Sequence, residues 1–146
     1  MLRELKETSK LRLKETENKI ISARLDGVSL NQLPETELKL DIDLLIFKIC
    51  AISGADIPKT DFFADILSTE ISKFLIGYGF SELTAEEILC AFRFNAFGIC
   101  YPSGDSIDKV FFKGVLSVNL LATVINNYKC LRDSLDRKFK NEIEGY

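Results

Sequence analysis

The stretch VNLLATVINNYKCLRDSLDRKFKNE, residues 118–142, carries the clearest pattern in the 146-residue chain. Leu121, Val124, Tyr128, Leu131 and Leu135 recur at steps of three, four, three and four, and Phe139 continues the face. Residues three and four apart lie above one another on a helix, so this is one apolar stripe of an amphipathic α-helix. Ser117 stands where an N-cap is needed, because its hydroxyl can accept from an orphan amide of the first turn. A long last helix from Val118 to about Glu142 follows. Its stripe must be covered by other elements.

Working back from it, Val110-Phe111-Phe112 is a short apolar stretch and Tyr101-Pro102-Ser103-Gly104-Asp105 a turn cluster. Thr84-Ala85-Glu86-Glu87 is a capping box, in which the Thr hydroxyl and the Glu87 carboxylate satisfy each other's orphan amides. It opens a helix from Ala85 to Phe97 that Gly98 stops. Before it, Thr60 or Asp61 caps a helix holding Phe62, Phe63, Ile66, Leu67, Ile71, Phe74 and Leu75, ended by Gly77-Tyr78-Gly79. Pro34 suits the first turn of a helix to about Ser53, closed by Gly54. On that helix Leu38, Ile42, Leu45, Ile49 and Ile52 form one face, while Leu40, Leu44, Phe47 and Ala51 cover much of the other. A helix apolar nearly all round is a buried central helix, or one that buries its second face in a partner.

Asp26-Gly27-Val28-Ser29 is a turn, and before it the apolar residues Leu2, Leu5, Leu11, Leu13, Ile20 and Ile21 hold no single stripe. Residues 1–33 therefore read as a polar, loosely attached N-terminal helical segment ahead of a helical domain over residues 34–146. No strand alternation of useful length appears. The fold class is all-α: a compact bundle of five or six helices with a buried central helix and a long C-terminal helix.

The chain contains no histidine. That removes Ser-His and Cys-His nucleophiles, imidazole bases and every metal site built on imidazole. Cys50, Cys90, Cys100 and Cys130 stand singly, without a C-x-x-C pair, and read as reduced packing residues. The longest apolar run, Leu44 to Ala55, is too short for a bilayer. No secretory leader is written in the charged first residues, so a cytoplasmic location is expected, with no membrane contact. Net charge is −3, yet residues 1–25 hold seven Lys/Arg against four Glu. The acidic remainder argues against binding a duplex through its phosphates, and leaves residues 1–25 as a weak nucleic-acid contact.

Few residues offer chemistry. Gly77-Tyr78-Gly79-Phe80 follows a helix and lacks the third glycine and the G-K-[ST] of phosphate loops, so it reads as a helix end. Asp41 and Asp43 point roughly 200° apart on a helix and cannot share a ligand. Asp105 and Asp108 supply fewer carboxylates than a calcium loop uses. No catalytic set, metal site or cofactor is expected. One residue stands out, for Arg132 falls in the middle of the last helix's apolar face. Its guanidinium needs an anion, and Asp136 one turn on or Glu87 on the neighbouring helix can supply it. Either Arg132 makes a structural ion pair, or it forms an anion or partner site with Tyr128, Arg93 and Tyr101. Asn95 is a second polar residue in an apolar setting, suited to a loop backbone or a ligand.

The pattern Leu83-Thr84-x-Glu86-Glu87-Ile88-x-x-Ala91-Phe92-x-x-Asn95-x-x-Gly98, followed by Val124-x-x-x-Tyr128-x-x-x-Arg132, resembles small helical proteins of phages and integrated elements in gut Bacteroidota. The resemblance runs from about Leu40 to the C-terminal end. Some of those proteins are similar to replication accessory proteins such as replisome organisers and helicase loaders. It implies a mobile-element protein acting on a host or phage protein in DNA replication, as an adaptor, because no Walker loop is present. The expected function is thus a non-enzymatic binding protein. The alternative is an oligomeric anti-defence protein that sequesters a nucleotide signal through Arg132, Arg93 and the tyrosines. Self-association is expected from the apolar surface of the helix from Pro34 and of the last helix, which compete for one small interior.

Overall fold

The structure is a computed structural model that describes residues 15–97 and 114–144. Among the described residues there are five α-helices and no strand. Helix α1 covers residues 15–25, α2 Glu35–Ser53, α3 Asp61–Gly77, α4 Ala85–Phe97 and α5 Val118–Glu144, with a single 3-10 turn at Leu30–Gln32. The all-α bundle with a long C-terminal helix is as the sequence implies.

The helix ends follow local chemistry. The Ser117 hydroxyl accepts from the Leu120 amide at 3.2 Å, and Thr60 Oγ1 accepts from the Phe63 amide at 3.3 Å. Pro34 precedes α2 with extended backbone. At the other end Gly54 adopts φ 78°, a left-handed conformation that costs a side-chain-bearing residue energy, and its amide closes the helix on the Cys50 carbonyl.

The central helix is α4. Glu87, Ile88, Leu89, Cys90, Ala91, Phe92, Phe94 and Asn95 are all buried, so most of this stretch is covered on nearly every side. α2 makes the most extensive contact with it and α5 the next, while α3 leans on both α2 and α5. Each fully buried Phe or Ile here contributes about 1.5–3 kcal/mol of transfer free energy. The apolar-all-round helix from Pro34 is therefore not the centre. α2 turns Ile42, Leu45, Ile46 and Ile49 inward and leaves Leu40, Leu44 and Phe47 exposed. Conversely, the stripe of α5 from Leu121 to Leu135 is consumed inside the chain, with Leu121, Val124, Tyr128, Leu131 and Leu135 all buried.

Residues 15–33 are not loosely attached. Ile20, Ala23 and Leu30 are buried, and the Thr84 hydroxyl donates to the Ala23 carbonyl at 2.8 Å. Arg24 pairs with Asp136 at 2.7 Å and Lys138 with Glu17 at 2.7 Å, which ties α1 to α5. Isolated apolar residues in a polar segment suffice here because their partners lie far along the chain. Residues 1–14 lie outside the described residues, as does the turn cluster with Tyr101, Asp105 and Asp108.

Candidate functional site

Glu87 is the most thoroughly buried charged residue described, at 1% exposure. The capping box puts it there: its amide donates to Thr84 Oγ1 at 3.1 Å, and its Oε1 accepts from the Thr84 amide at 3.4 Å. Its second oxygen faces α5. Tyr128 and Arg132 lie one turn apart on that helix, so both reach the same Oε2, the Tyr hydroxyl donating at 2.7 Å and Arg132 Nε at 2.8 Å. Glu82 adds a second carboxylate, 3.5 Å from Arg132 Nη1. Arg132 is 8% exposed.

This arrangement settles which anion Arg132 uses. Of the two candidates, Glu87 takes the guanidinium, and Asp136 turns to Arg24 instead. Tyr128 is held as a neutral phenol, its pKa pushed up by burial first and by the Glu87 carboxylate second. A neutral phenol can donate to Glu87, and it does. The network joins α4 to α5, and no described side-chain polar atom in the core lacks a partner. An internally satisfied buried ion pair fixes register more than it adds stability.

Of the remaining sequence candidates, Tyr101 lies outside the described residues, and Arg93 pairs elsewhere. Asn95 is buried and borders, with Tyr128 and Asn127, a space of only about 10 Å³, no larger than a single water needs. Arg93 is half exposed and sits 3.9 Å from Glu86, across a cleft of about 310 Å³ from Lys19 and Asp26 of the α1 end. Cys90 lines the same cleft, but burial pushes its thiol up to about 12, so it is no nucleophile at neutral pH. No group of three or more metal-ligating side chains occurs among the described residues. No described helix is long and apolar enough to cross a membrane.

A larger space than the two at Asn95 and Arg93 is not marked by any motif. A groove of about 660 Å³ runs between α3 and the start of α5. Pro58, Phe63, Ile66, Leu67, Val115 and Leu116 line it, with Lys59, Thr60 and Glu70 as its polar members. Phe62 and Phe63 are exposed beside it and meet edge to face at 5.9 Å. The wide apolar stripe of the third helix contained these residues. What the sequence lacked was the position of Val115 and Leu116, which the bridge between Asp56 and Val115 brings to α3. No protein-family model, curated protein or solved structure matches this chain.

Proposed function

We propose that the protein is a non-enzymatic helical adaptor that holds an apolar segment of another protein in the groove between α3 and the start of α5. The observation that carries this reading is the groove itself, apolar along its floor and flanked by exposed Phe62 and Phe63. Large aromatic side chains left in water beside a concave apolar surface are the usual anchors of protein recognition. The polar members Lys59, Thr60 and Glu70 suit the rim of such an interface, where specificity is set at little energetic cost. The resemblance of residues 83–132 directs the search to replication proteins of a phage or its host. Arg132 and Tyr128 are engaged by Glu87, so the nucleotide-sequestering alternative lacks a comparable observation in its favour.

Photo-crosslinking in the natural host tests the reading. A benzophenone side chain in place of Phe63 should capture one discrete protein, and the same group in place of exposed Asp133 on α5 should not. Equal patterns from the two positions, or none from Phe63, would end the groove reading.

A further inference from the structure

The outward side of α2 carries a second, independent pattern. Leu40, Leu44, Phe47 and Ala51 are spaced four, three and four, and all four are exposed, Leu40 at 69%, Leu44 at 54% and Phe47 at 55%. That spacing is the alternating seam of a two-helix coiled coil. It lies on the opposite side of the helix from Ile42, Leu45 and Ile49, which face the core. It therefore has no cover within the described chain.

We infer that this seam mates, antiparallel, with the same seam of a second copy of the chain. Three observations point to that occupant. First, the seam is self-complementary in size when one copy is reversed. An antiparallel two-fold mate sets Leu40 against Ala51 of the second copy and Leu44 against its Phe47, so each large residue meets a smaller or matching one. A parallel mate sets Ala51 on Ala51 and leaves a hole. Second, the flank is self-complementary in charge. Asp41 and Lys48 occupy equivalent flanking positions seven residues apart, and reversal places Lys48 of each copy beside Asp41 of the other. Third, the opposite flank is closed. Asp43 accepts from the Ser68 hydroxyl of α3 at 2.8 Å, so the parallel pairing of Asp43 with Lys48 would have to disrupt that contact.

The area sets the strength. Three large side chains half or more exposed supply about half of the roughly 800 Å² per partner of a standard interface. A contact of that size suits a weak dimer, formed and dissolved by concentration. It does not depend on what fills the groove at α3.

Sedimentation equilibrium on the full chain across a micromolar dilution series is the test. The mass should climb from 16.5 kDa toward twice that value as concentration rises. Phe47→Glu should hold the protein at the mass of one chain, with unchanged helical circular dichroism. Lys48→Glu and Asp41→Lys should each weaken association about five- to tenfold, as two symmetric pairs become repulsive, and the two together should restore it. In a Cys100→Ser, Cys130→Ser background, mixing Leu40→Cys protein with Ala51→Cys protein should give chiefly 40–51 disulfides, mapped by mass spectrometry. One-chain mass at every concentration overturns the inference. So does a dimer indifferent to the charge variants, or one that links position 40 chiefly to itself.

Discussion

Two regions of this molecule break the ordinary rule of apolar inside and polar outside, in opposite directions. Between α4 and α5, Glu87, Tyr128 and Arg132 are charged or polar and buried, and each has its partner within the chain. Along the outer side of α2 and the N-terminal half of α3, Leu40, Phe47, Phe62 and Phe63 are apolar and exposed. The first exception is closed by the protein itself. The second is left open among the described residues, as surfaces that meet another molecule are. On the function proposed above, the contrast separates the residues that hold the fold from those that address a partner, and it reverses what their chemistry first implies. Arginine and tyrosine, the usual candidates for a site, are engaged within the chain here, and the exposed phenylalanines and leucines are the recognition set that we propose.

The largest effect should come from breaking the closed region. Glu87→Ala leaves the Arg132 guanidinium buried with only the more distant, half-exposed Glu82, and removes half of the α4 capping box. Unpairing a buried charge costs about 3–5 kcal/mol, a large part of the 5–15 kcal/mol by which domains are stable. Urea unfolding should show that loss. Adding Arg132→Met to Glu87→Leu should recover part of it, because no charge then remains unpaired. If the double variant is no better than Glu87→Ala, the ion pair is not what the region depends on.

The two regions were not equally legible. The capping box at Thr84 and the need of Arg132 for an anion follow from local spacing, and both are as the residues dictate. The choice of Glu87 over Asp136 was not legible, because it depends on Arg24 of α1 claiming Asp136 across 112 residues of sequence. The exposed seam on α2 was visible as a second apolar face. Which of its two faces would be buried was not, since Ile42 and Leu44 are equally apolar and only the packing of α4 chooses between them. For the same reason α4 escaped notice as the centre: a 13-residue helix shows too short a repeat to announce burial on all sides. The apolar packing of α1 rests on Ile20 and Ala23, with Ile21 partly buried beside them, and no stripe declares it.

An intermediate effect should appear in alkali, where buried acids of the core have to ionise. Cys90 rises from 9.0 to about 12 on folding, chiefly through burial, and Tyr128 is also raised, by burial and then by Glu87. Both are acids whose neutral form the fold prefers. Their contribution is complete below the pKa of the unfolded chain and is lost as pH rises toward the folded value. From about pH 9 upward for Cys90 and about pH 10 upward for Tyr128, stability should fall by roughly 1.4 kcal/mol per pH unit for each group. Cys90→Ala should start lower at pH 7 and fall less steeply between pH 9 and 11. Parallel stability profiles would show that the Cys90 thiol ionises equally in both states.

The smallest effect is the sharpest test of the comparison, because it contrasts two neighbours in sequence. Ile46 is 6% exposed and Phe47 is 55% exposed, on consecutive positions of α2. Ile46→Ala should cost about 2–5 kcal/mol, as buried Ile-to-Ala changes do. Phe47→Ser deletes a larger side chain, yet it should change the unfolding free energy of dilute protein by no more than about 0.5 kcal/mol, the usual range for surface positions. Helix propensity does not blur this reading, since Phe and Ser rank alike in helices. At high protein concentration the two chains should part. Mating of the α2 seams stabilises the folded form by mass action, so the melting temperature of the unaltered chain should rise with concentration while that of Phe47→Ser stays flat. A cost of several kcal/mol for Phe47→Ser in dilute solution would mean that the outer side of α2 is covered within one chain, and the two regions would then obey the same rule.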